Sequence, residues 1–143
     1  MATKAQSPLF DLSKNDPSKS AEAGYEFQLV LPGSGEATGA FVTVRGEHSP
    51  VVKQYAKKKY NEYQMQVQAA KRKGKDYELS LDESEVMSVE SATNRVISWR
   101  GIANEGTEVV FSKDTCAEIL KQHSWIREQV LEESQQAFNF RPK

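Results

Sequence analysis

The strongest constraint on the fold is a change of periodicity at residues 46–50. Before it, Tyr25, Phe27, Leu29 and Leu31 alternate with Glu26, Gln28 and Val30. After Pro32-Gly33-Ser34-Gly35 a second run sets Ala40, Val42 and Val44 on one face and Phe41 and Thr43 on the other. Period two around a glycine-rich break predicts a β-hairpin over 25–46 with one face buried. A lone hairpin is marginal in water, so it must pack on helices or be extended by a partner's strand. Past the change, Val51, Val52, Tyr55, Ala56, Tyr60, Tyr63 and Val67 recur near helical spacing until Gly74. Ser49 is placed to cap that helix and Pro50 fits its first position, where a missing N–H costs little.

Asp82-Glu83-Ser84-Glu85 reads as a capping-box variant, and Val86, Val89, Thr93, Val96 and Ile97 follow at helical spacing. A second helix is therefore predicted from 82 to about 100, closed by Gly101 in the left-handed conformation. Asn104-Glu105-Gly106 reads as a turn, and Val109-Val110-Phe111 as a short strand or a tether. Ser112 caps a short helix with Cys116, Ile119 and Leu120 inward, and Ser124 caps another bearing Trp125, Ile126, Val130 and Leu131. With 38% hydrophobic residues over 143 positions, the chain can bury one modest core. The expected class is α+β: a disordered arm over 1–24, then one domain over 25–143 with the hairpin at 25–46 and about four helices within 49–140.

Charge is nearly balanced overall, with 19 basic and 20 acidic residues, but unevenly placed. Residues 53–75 hold eight basic side chains against Glu62, while Glu78, Asp82, Glu83, Glu85 and Glu90 follow directly. No run approaches the length of apolar chain that spans a bilayer and no apolar signal-peptide core is present, so a soluble cytoplasmic protein is expected. The single Cys116 fits a reducing compartment.

The chemistry-bearing residues favour a protein without catalysis. His48, His123 and Cys116 have no ligand spacing for a metal, and Gly33-Ser34-Gly35 lacks the Lys-Ser/Thr of a phosphate loop. Glu83 and Glu85, like Glu132 and Glu133, read as solvated surface. The lysines of 53–75 interleaved with Tyr55, Tyr60 and Tyr63 suit a nucleic-acid face, yet helical spacing makes the tyrosines a core stripe with a soluble opposite side. The closing aromatics divide. Trp99 and Trp125 read as core anchors, whereas Phe138 and Phe140 either fold back or await a partner.

Several blocks together resemble the tail assembly chaperones of long-tailed bacteriophages and prophages. They are Tyr25-Glu26-Phe27, Gly39-Ala40-Phe41-Val42-Thr43-Val44-Arg45-Gly46, His48-Ser49-Pro50 and Ser98-Trp99-Arg100-Gly101. They continue with Phe111-Ser112, Trp125-Ile126-Arg127-Glu128-Gln129-Val130 and Asn139-Phe140. Ser124 departs from the proline more usual before the tryptophan. The resemblance implies a non-enzymatic protein without cofactor or metal that binds and solubilises the tape measure protein and helps recruit tail tube subunits. It further implies action in the host cytoplasm, absence from the mature virion and no membrane partner. Self-association is compatible with that role. A groove for an amphipathic client helix is expected from Tyr55, Tyr63, Trp125, Ile126, Val130, Phe138 and Phe140. The rival readings are a structural virion protein of the tail or head-tail joint, and a nucleic-acid-binding module using the basic 53–75 helix.

Overall fold

In the computed structural model, which describes residues 9–142, Tyr25–Val30 (β1) and Ala37–Val44 (β2) form the expected antiparallel hairpin. Phe27, Leu29, Ala40, Val42 and Val44 are buried on one face, as the alternation requires. The connecting loop closes through Leu31 N–H to Glu36 O at 2.8 Å and Gly35 N–H to Leu31 O at 2.9 Å. The edge of β1 is blocked near its end by a side chain. The Gln129 amide accepts from Val30 N–H at 3.0 Å and donates to Val30 O at 2.8 Å, standing in for a neighbouring strand.

The arm is ordered earlier than expected. Residues 1–8 lie outside the described residues, but within 9–24 the segment Ser18–Ala23 is a helix (α1) with Ala21 fully buried. Tertiary bonds invisible in local composition hold it: Gly46 N–H donates to Ala21 O at 3.0 Å, and the Ser49 hydroxyl and Arg45 guanidinium both donate to the Glu22 carboxylate. Those two donors hold Glu22 below its ordinary range, Ser49 contributing most. Ser49 also caps Pro50–Arg72 (α2) by accepting from Val51 N–H at 3.2 Å. Local chemistry set that boundary and the fold uses it.

The helix expected from 82 to about 100 is corrected at both ends. Leu81–Arg95 (α3) is capped by Ser80, whose Oγ accepts from Glu83 N–H at 3.1 Å, so the box is Ser80-x-x-Glu83 rather than Asp82-x-x-Glu85. It ends at Arg95, and Val96–Arg100 (β3) returns as the antiparallel partner of β2, pairing Phe41 with Arg100 and Val44 with Val96. The register slips between Thr43 and Val44, which leaves Ile97 as an extra residue on β3. This bulge lets Val96 and Trp99, three residues apart, both pack on the core, and a spacing of three is what imitates a helix. The β-branched Val96 and Ile97 favour the extended form, and the unpaired side of β2 supplies ladder bonds that further helix would forgo. Gly101, at φ 80°, therefore closes a strand rather than a helix.

Ala103–Asn104 (β4) and Thr107–Glu108 (β5) make a two-stranded ribbon. Residues 109–111 beyond it form no strand and act as a tether over Trp99. The Trp99 indole N–H donates to Val109 O at 2.8 Å and Phe111 meets the ring edge-on at 5.0 Å. Lys113–Gln122 (α4) and Ser124–Gln135 (α5) follow, then a 3₁₀ turn over Ala137–Phe140. Helix α5 packs on β1 and β2, and α3 and α4 pack against it. Val89 and Ala92 of α3, Cys116 and Leu120 of α4, and Ile126 and Val130 of α5 complete the core begun by the sheet. The α+β class and the four principal helices agree with expectation.

Candidate functional site

Helix α2 is 23 residues long but buries only Val52, so most of it has little to pack against. Near its start the Asn94 amide of α3 reaches Val51 O at 3.5 Å, and its main polar tie to α3 lies one turn further on. The Tyr55 hydroxyl donates to Glu90 at 3.0 Å and the Lys59 ammonium meets the same carboxylate at 2.7 Å. Lys59, then Tyr55, hold the Glu90 carboxyl below its ordinary range, and the same contact raises Lys59. Partial burial, reinforced by Glu90, pushes the Tyr55 hydroxyl up. Beyond this clasp, towards the α3 N-terminus, Tyr63, Leu79, Val86 and Met87 line a cleft of about 350 Å³. Tyr63 packs edge-on against Tyr77 at 5.7 Å, and the Tyr77 hydroxyl donates to Glu83 at 2.8 Å.

A second cleft, about 440 Å³, runs between α3 and α4 beside Val86, Val89, Ala117 and Glu118. The two share Asp82, Val86 and Glu90, and a third of about 460 Å³ carries the depression from Tyr55 across Thr93 to Lys113 and Ala117. The outer face of α3 is thus the floor of one open trough, with α2 and α4 as its walls. Val86 is 55% exposed there, and Asp82, Glu83, Glu85 and Glu118 rim it. Exposed apolar floor with a charged rim is the anatomy of a protein-docking surface.

Of the seven expected contact residues, Tyr55 and Tyr63 line this trough and the others do not join them. Ile126, Val130 and Phe140 are 7%, 0% and 4% exposed, so they are core in this fold and the single groove drawn from spacing is not formed. Phe140 lies over Gly46, where a Cβ would sit 2.7 Å from its ring, and meets Tyr25 edge-on at 6.1 Å. Trp125 is half-buried between two other clefts, one beside Leu31 and Leu131, the other beside Ile102 and Ile119. Phe138 remains 67% exposed with the Arg141 guanidinium 3.6 Å above its ring. Leu79, Val86 and Met87 were absent from the expected set. The available signal was that Val86 and Met87 exceed what α3 needs for its buried stripe of Val89 and Ala92.

Cys116 is fully buried and desolvation pushes its thiol up to about 12, which keeps it protonated and unreactive at neutral pH. Among the described residues no group of three or more His, Cys, Asp or Glu is arranged to hold a metal ion. Among them, too, no helix is long and apolar enough to cross a membrane.

No curated protein and no solved structure matches the chain. The model of one family, described as YdaY prophage protein, matches residues 49–143. That match starts at the Ser49 cap and spans α2 to the closing 3₁₀ turn, so it contains all three helices of the trough. The chain belongs to the YdaY prophage protein family.

Proposed function

We propose that this prophage protein is a tail assembly chaperone, a non-enzymatic protein that binds the tape measure protein, keeps it soluble and helps recruit tail tube subunits. It acts in the host cytoplasm and is left out of the finished particle. The observation that carries this reading is the open trough with Tyr63, Leu79, Val86 and Met87 along it and carboxylates at its rim. A long helical client exposes an apolar stripe that water disfavours, and laying the stripe on such a floor removes it from solvent. The acidic rim suits a client helix whose flanks are basic.

The test is co-expression with the tape measure protein encoded by the same prophage. Wild type is expected to hold the client in the soluble fraction. A Leu79→Asp, Val86→Asp variant that keeps the wild-type circular dichroism spectrum is expected to lose it. Equal client solubility with and without the variant pair overturns the assignment of the trough. Mass spectrometry of purified particles addresses the rest: abundant copies there favour a structural tail component instead.

A further inference from the structure

The flank of α2 turned away from the trough is itself unpartnered. Ala56, Tyr60 and Val67 recur at intervals of four and seven, which stacks them in one stripe along the helix. Tyr60 in that stripe is 63% exposed. Lys53, Lys57 and Lys71 border it, all exposed. Of the eight basic residues within 53–75, Lys59 is the one that forms an ion pair among the described residues. The stretch 76–95 is the reverse, with six carboxylates against Arg95, which is buried beside Glu47 and Ser134.

One molecule therefore carries an apolar, basic helix flank and, on the α3–α4 side of its trough, an apolar surface where Asp82, Glu85, Glu90 and Glu118 outnumber Lys121. They cannot meet within a single copy, because α2 is already a wall of its own trough. With a net charge of −1, two copies have almost no overall repulsion to overcome. We infer that the Lys57–Tyr60–Lys71 flank of α2 seats in the α3–α4 side of the trough of a second copy, with Glu85 and Glu118 facing the lysines. The contact is heterologous, so each pair leaves a free flank and a free trough and assembly grows by addition. Nucleic acid is the less favoured occupant of the flank, since a phosphate-binding chain would gain from a net positive charge that this one lacks. The inference does not depend on the client reading, because no client is present in its test.

The full-length chain is measured by analytical ultracentrifugation at about 50 and 500 mM NaCl, a range over which screening of exposed charges tightens. The comparison includes a Lys57→Glu, Lys71→Glu variant, a Glu85→Lys, Glu118→Lys variant and their equimolar mixture. All four positions are exposed on helices. Wild type is expected to exceed twice the monomer mass at low salt and to fall towards monomer at high salt. Each variant alone is expected to stay monomeric at low salt, and the mixture, with its charges swapped, to associate again. A wild-type chain that is monomeric at both salt concentrations overturns the proposal, whatever the variants do. So do variants that associate as wild type does, or a mixture that stays monomeric. Binding of a random-sequence DNA duplex by monomeric wild type, lost in the Lys57→Glu, Lys71→Glu variant, assigns the flank to nucleic acid instead.

Discussion

The closing block at 125–140 and the helix pair α2–α3 both carry large apolar side chains, yet use them in opposite ways. In the first, Ile126, Val130 and Phe140 are buried, with the Phe140 ring packed over Gly46. In the second, Tyr60, Met65, Leu81 and Val86 lie exposed along two helices that touch chiefly around one clasp at Glu90. The difference lies in what stands opposite. Helix α5 lies on the sheet, whereas most of α2 faces solvent. Burial spent on the fold is not available to a partner, so the second region is the one equipped for docking.

Placing the same charge in each region breaks or confirms this contrast most sharply. Val130→Asp puts a carboxylate where no atom is exposed and no partner waits, a cost of several kcal/mol, so a loss of the cooperative thermal transition is expected. Val86→Asp adds the same charge at an exposed position and is expected to change stability by no more than about 0.5 kcal/mol in urea titration. Equal losses for the pair would erase the distinction.

Gly46→Ala sharpens it further. The added methyl would lie 2.7 Å from the Phe140 ring, and overpacking of this kind costs about 1–3 kcal/mol. With the ring removed by Phe140→Ala, the same glycine substitution is expected to cost little, and a double-mutant cycle reads the coupling. A smaller loss, about 1–2 kcal/mol, is expected for Ser49→Ala, which removes both the cap of α2 and the hydroxyl on Glu22.

The smallest effect concerns pH at the clasp. The folded state depresses Glu90 below its ordinary value of 4.5, so the contribution is present above that value and is lost as pH falls through the depressed one. Acid titration followed by tryptophan fluorescence is expected to show wild type losing more stability than Glu90→Gln between neutral pH and the acid range. Parallel curves would remove the clasp from the account of how α2 is held.

Local chemistry made much of the fold legible. The alternation at 25–44 and the Ser49-Pro50 start needed no distant partner, and both stand as expected. Apart from the start of α3, where the local capping box lies two residues earlier than expected, the failures were those where a remote contact decides. Helix α1 exists because Ser49 and Arg45 reach back to Glu22. Strand β3 exists because β2 offers an unpaired side, and its bulge at Ile97 gave Val96 and Trp99 a helical spacing. At the site, Tyr55 and Tyr63 were legible as a stripe on one helix. Val86 was not, since an apolar residue at a helical position reads alike whether its face is covered by core or open to solvent. Phe138 and Phe140 show the same ambiguity from the other side: one stays out and its neighbour two residues on is buried.

The measurement that tests the docking trough most directly is hydrogen exchange of the full-length chain, alone and with a soluble segment of the tape measure protein. Slowed exchange in α2 and α3, strongest across 77–90, with 125–140 unchanged, is the result expected if partners dock there. Slowing confined to 125–140, with α2 and α3 unchanged, would contradict it and return the contact to the closing block.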